Sequence, residues 1–199
     1  MNGKFILFAQ PWWVNLVFVI PFLAYLLWRK RELELTKRQL IFAALFAISF
    51  GFIEASVVIY LRAAIGLLPG YNGSLSDIAR FSSNIYQQTD VLKSLPNALS
   101  IIEVLREVAT MIMLLAIALI AAPKRRERFA LFLWSFAFWD LFYYVWLWTI
   151  VRWPSSLTTP DVLFLIPAPW LSQIWFPLLI NALVIASVIL CARPQKETN

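Results

Sequence analysis

"FAFWDLFYYVWLW", Phe136 to Trp148, decides how the rest of the chain is read. Aromatic and aliphatic side chains fill the stretch, and Asp140 is its one charge. It continues in both directions without a break, from Phe129 to Val151, before Arg152 stops it. A run of about 20 apolar residues is the length of helix that crosses a bilayer's hydrocarbon core, so the stretch reads as a transmembrane helix with a carboxylate near its middle.

The whole chain supports that reading. Of its 199 residues 61% are apolar and only 14% charged, which leaves no polar surface for a water-soluble domain. A single cysteine, Cys191, excludes an internal disulfide, and the absence of histidine removes the commonest base and transition-metal ligand. No phosphate-binding glycine loop, nucleophile elbow or HExxH motif occurs, so neither a cofactor nor a metal is expected. The predicted fold is an all-α integral membrane protein: one polytopic domain, a bundle of five transmembrane helices. The spans are expected at about 12–28, 39–61, 99–122, 129–151 and 174–192, with outer loops 63–98 and 152–173. Pro167 and Pro169 interrupt the approach to the last span, which predicts a short re-entrant or interfacial helix beginning at Thr159, Pro160 and Asp161. In the first outer loop, Ser74 and Asp77 are spaced as a capping box and predict a surface helix.

Basic residues gather in cytoplasmic loops, and eleven of the seventeen Lys and Arg lie in Arg29–Arg38, Lys124–Arg128 and the tail with Arg193 and Lys196. Five spans place all three clusters on one side, so the N-terminus is expected outside and the C-terminus inside a bacterial-type inner membrane. The net charge of +6 then answers to lipid headgroups, and no nucleic-acid partner is implied. The first apolar run carries its basic cluster on its C-terminal side, opposite to a cleavable signal, and is expected to remain as an anchor.

Within this topology Glu54, Glu103, Glu107 and Asp140 all fall between the bilayer centre and its outer face, as do Arg62, Arg106 and Arg152. Left unpaired, Glu54, Glu107 and Asp140 together cost about 8 kcal/mol. Pointing them inward around a shared polar cavity removes much of that cost, so these three are the candidate catalytic residues. Arg106, Glu103, Trp139, Tyr143, Tyr144, Arg152 and Asp161 are the candidate substrate-binding residues, with "WPSSLTTPDVLFLIPAPW" as a lid. Ala43, Ala47, Gly51 and Ala55 recur every four residues and predict a ridge for close helix packing. Asn15 and Asn181 are expected to hydrogen-bond between helices.

Three function classes follow. The first is an enzyme or binding protein for a lipid or isoprenoid-like substrate, with Asp140 or Glu54 as acid or base and Arg106 on an anionic headgroup. The second is an accessory subunit of a larger membrane complex, partnered by membrane subunits or by further copies of itself. The third is a proton- or cation-coupled carrier, for which the chain lacks an internal repeat.

Overall fold

The computed structural model describes residues 5–64, 74 and 97–192, with side chains omitted for 61–64 and 97–99. The molecule is mostly helical, at 71%. After an extended lead, a 3₁₀ segment (Trp12–Val19) passes into helix α1 (Ile20–Trp28), followed by α2 (Lys37–Ala64), α3 (Asn97–Ala121) and α4 (Arg125–Val151). Strands β1 (Pro160–Phe164) and β2 (Trp170–Gln173) precede α5 (Trp175–Cys191). Among the described residues three stretches are long and apolar enough to cross a membrane: Lys37–Tyr60, Ser100–Ala121 and Arg125–Val151. Trp12–Trp28 and Trp175–Cys191 are shorter apolar helical stretches.

The helices begin where local chemistry allows. Thr36 caps α2 in a reciprocal box: the Gln39 amide donates to Thr36 Oγ1 (3.1 Å) while the Thr36 amide donates to Gln39 Oε1 (2.8 Å). Gln39 Nε2 also donates to the Ala121 carbonyl at 2.6 Å, so the start of α2 is fastened to the end of α3. Pro21 lies in the first turn of α1, where its missing N–H is not needed.

Antiparallel α2 and α3 follow from that fastening, whereas α2 and α4 run in the same direction. Indole N–H groups of Trp134 and Trp146 donate to the Leu40 and Ile48 carbonyls, both at 3.0 Å, and clamp α4 along α2. Along the same contact Ala43, Ala47, Gly51 and Ala55 are buried. A Cβ on Gly51 would stand 2.8 Å from the Trp139 carbonyl oxygen and 3.1 Å from the Tyr143 nitrogen. The ridge therefore packs backbone against backbone, and Gly51 is the point where only hydrogen fits.

The two basic clusters among the described residues, Arg29–Arg38 and Lys124–Arg128, meet at one end of the bundle, beside the end of α5. The Leu33 amide donates to the Cys191 carbonyl at 2.7 Å, and Arg126 donates to the Arg31 carbonyl. Lys124 pairs with Glu34 at 2.5 Å. That hydrogen bond, and then the charge of Lys124, holds the Glu34 carboxyl below the ordinary carboxylate range.

The expected interfacial helix after Thr159 is instead a β-hairpin, the correction to an all-α fold. Pro160 stands first in β1, a position that tolerates a missing N–H, and the alternating apolar run Val162–Phe164 pairs with Trp170–Leu171. Pro167 and Pro169 form the connection between strands. Strand Trp170–Gln173 also carries the lead: the Gln10 and Leu171 backbones exchange hydrogen bonds of 2.8 and 2.7 Å. Asn15 does not bridge helices, as expected from sequence, but ties this lead to itself through Ala9 and Trp12. The helices also extend past their expected ends, with α2 reaching Ala64 and α4 starting at Arg125. The expected capping box and surface helix of the first outer loop, Asp77 included, lie outside the described residues.

Two outcomes check this packing. Gly51→Ala should lower stability by about 1–3 kcal/mol through overpacking, read as an earlier unfolding transition in detergent; an unchanged transition would contradict the close approach. Lys124→Ala should return the Glu34 titration to the ordinary carboxylate range, measured by carboxyl-carbon NMR. A carboxyl with a lowered value contributes stability above its ordinary range and loses it as pH falls through the lowered one, so the loop contact should weaken only in acid.

Candidate functional site

The site begins on one face of α3. Glu103, Arg106, Glu107 and Thr110 recur at three- and four-residue spacing, and each points toward the bundle or the hairpin. Arg106 Nε and Nη2 donate to Glu103 Oε2 at 3.0 and 2.8 Å, and Arg106 Nη1 meets Glu54 Oε1 of α2. Thr110 Oγ1 lies 3.5 Å from the second Glu54 oxygen. Glu54 and Glu103 are both buried, at 8% and 7% exposed, so two carboxylates share one guanidinium where water is scarce.

Glu107, one position further on, faces the hairpin. Both of its oxygens accept from the Leu165 backbone N–H at 3.0 Å. The chain reaches that position through a bulge: Val162 pairs with Leu171 and Phe164 with Trp170, leaving Leu163 without an opposite residue. Phe164 is thereby turned onto the aromatic surface of α4 and β2. Its ring centroid lies 6.4 Å from Phe136, 6.4 Å from Trp139 and 5.6 Å from Trp170. The Trp139 indole N–H is buried there and finds no hydrogen-bond acceptor among the described residues.

Asp140 belongs to a separate group on the other side of α4. Because α2 presses against Trp139 and Tyr143, the adjoining positions Asp140 and Tyr144 are rotated about 100° away and face α5 and the hairpin. Asn181 Nδ2 donates to Asp140 Oδ2 at 2.7 Å, and Tyr144 Oη donates to Asp161 Oδ2 at 2.9 Å. Asp140 and Asp161 are close enough to influence one another electrostatically, as are Arg106 and Tyr143. Tyr143 and Tyr144 lie ring to ring at 5.0 Å and form the seam between the groups.

The anticipated single cluster of Glu54, Glu107 and Asp140 is therefore two adjoining groups spanned by the hairpin. Asp161 fixes one end of β1 to α4, and Leu165, just past the other end, is fixed to α3. Arg106 is engaged by the Glu54 and Glu103 carboxylates. Arg152 is not brought to either group; it caps α4 in a left-handed conformation (φ 58°) and lies exposed over the Trp148 ring at 4.7 Å. Asn181 was legible only as a polar residue in an apolar run, and the Leu165 amide carries no sequence signal at all.

No family model, curated protein or solved structure matches the chain, so chemistry and geometry carry the functional argument.

Two variants probe the site's construction. Arg106→Ala leaves Glu54 and Glu103 facing each other and should cost about 3–5 kcal/mol, seen as poor membrane accumulation that Glu54→Gln partly restores. Tyr144→Phe should raise hydrogen exchange in residues 160–164 while leaving α2 and α3 unchanged; uniform protection would mean that the Asp161 contact does not hold the hairpin.

Proposed function

We propose that this chain is a multi-pass membrane protein whose outward-facing site binds, or processes by acid–base chemistry, a lipid or isoprenoid-like amphiphile. The observation that carries the reading is the two adjoining groups of acids that the hairpin spans: Glu54, Glu103 and Glu107 with Arg106 on one side, and Asp140 with Asp161 on the other. Ionisable groups at such depth are costly, and function is their usual reason.

Two further crossings complete a five-span topology with the N-terminus outside. A 3₁₀ helix rises about 2.0 Å per residue against about 1.5 Å for an α-helix, so Trp12–Trp28 extends about 30 Å, one hydrocarbon thickness. The meeting of the Arg29–Arg38 and Lys124–Arg128 clusters at one end supports that end as cytoplasmic in a bacterial-type inner membrane.

Asp140 is the better acid–base candidate. Its partner is a neutral amide, whereas Glu54 is occupied by a guanidinium. The aromatic wall of Phe136, Trp139 and Phe164 suits the apolar part of the substrate.

A second reading, an accessory subunit of a larger membrane complex, draws on α3. Only 17% of its apolar stretch is buried, against 33% in α2 and 50% in α4, leaving a wide face for lipid or another helix. Gentle purification from the native membrane followed by mass spectrometry separates the two readings. The amphiphile reading expects a stoichiometric small hydrophobe that disappears in Asp140→Asn without loss of fold; stoichiometric protein partners with no such hydrophobe would replace it with the subunit reading.

A further inference from the structure

The contact between the hairpin tip and the groove has the form of a bound ligand. Phe164 supplies an apolar ring packed against Ala47, Phe50, Leu114 and Trp139, and the next residue supplies an N–H donor centred on a carboxylate. The Leu165 amide is neutral. It satisfies the geometry of Glu107 and brings no positive charge of its own, while Arg106, near enough to influence Glu107 electrostatically, is bound to Glu54 and Glu103 instead. A carboxylate in an apolar groove is stabilised far better by a cationic donor than by a neutral one.

A second, independent feature lies in the same groove. Trp139 is 6% exposed, its ring touches Phe164, and its indole N–H has no acceptor among the described residues. A buried donor without a partner costs about 1–3 kcal/mol, which an acceptor oxygen on an incoming molecule would recover.

Taking the amphiphile reading as its basis, we infer that Phe164 and Leu165 are an internal stand-in for the substrate's head: the groove between α3 and α4 takes an amphiphile with a protonated amine, which displaces the hairpin tip. The ammonium takes the place of the Leu165 N–H on Glu107, a neighbouring hydroxyl or ester oxygen accepts from Trp139, and the apolar body follows the path of the Phe164 ring. The β1 bulge is the element that releases the tip, while the Tyr144–Asp161 hydrogen bond keeps the base of the hairpin in place.

The test uses the full chain in nanodiscs and three probes of equal chain length: a long-chain primary amine, the fatty alcohol and the fatty acid. The amine should bind at least about tenfold more tightly than either competitor, and Glu107→Gln should abolish that advantage. Amine binding should also increase hydrogen exchange at residues 163–169, opposite to the protection that ordinary ligand burial gives. Phe164→Ala weakens the internal competitor and should tighten amine binding severalfold; it decides the matter if Glu107→Gln fails to accumulate. Equal binding of all three probes, preference for the acid, amine-induced protection of the tip, or weaker amine binding in Phe164→Ala would each overturn the displacement model. Binding of the alcohol or acid that depends on Asp140, without amine preference, would overturn this inference and leave the amphiphile reading intact, whereas binding of none of the three would remove both.

Discussion

The joining of Arg106 to Glu54 and Glu103 is the contact on which the upper half of the molecule depends. A helix surrounded by hydrocarbon has no water to solvate a carboxylate, so each acid must find a partner inside the protein or be a standing cost of several kcal/mol. Arg106 serves two acids at once, one on its own helix and one on α2. By doing so it fixes the rotation of α3, which otherwise has little surface buried in the bundle. Once that rotation is set, Glu107 is carried round to face the hairpin and Thr110 to face Glu54.

The bundle can place these groups only because α2 and α4 approach so closely. Gly51 removes the side chain at the contact, and the indoles of Trp134 and Trp146 fasten the helix pair at Leu40 and Ile48. Close approach also has an angular consequence. It commits Trp139 and Tyr143 to the α2 side of α4, and the fixed turn of the helix then sends Asp140 and Tyr144 toward α5 and β1. The division of the acids into two groups is thus a product of helix geometry, with the hairpin spanning both.

Much of the architecture is legible from residue order. The apolar runs, the small-residue ridge and the position of each acid along its helix are all properties of spacing, and spacing along a helix translates directly into length and face. Glu103 with Arg106 is legible for the same reason, since a separation of three residues on a helix guarantees proximity. The hairpin is less accessible. "TPDVLFLIPAPW" contains both a helix-start signal at Thr159 and Pro160 and a short apolar run that suits a strand, and local pattern alone does not choose between them. The choice comes from long-range pairing: Trp170–Gln173 lies beside both β1 and the Gln10 backbone, which satisfies amides that a short helix in this position would leave exposed.

By itself, then, the sequence determined a mostly helical chain with apolar runs long enough to cross a membrane and ionisable residues set within them, because hydrophobic run length and charge position are one-dimensional quantities. Only tertiary structure decided which acid meets which partner. Whether Arg106 serves Glu54 or Asp140, whether Asn181 or Tyr144 holds Asp140, and whether a backbone amide occupies Glu107 all depend on the azimuth of one helix against another. That azimuth is set by packing at Gly51 and by pairing across the hairpin, contacts between residues far apart in the chain whose energies no local pattern records.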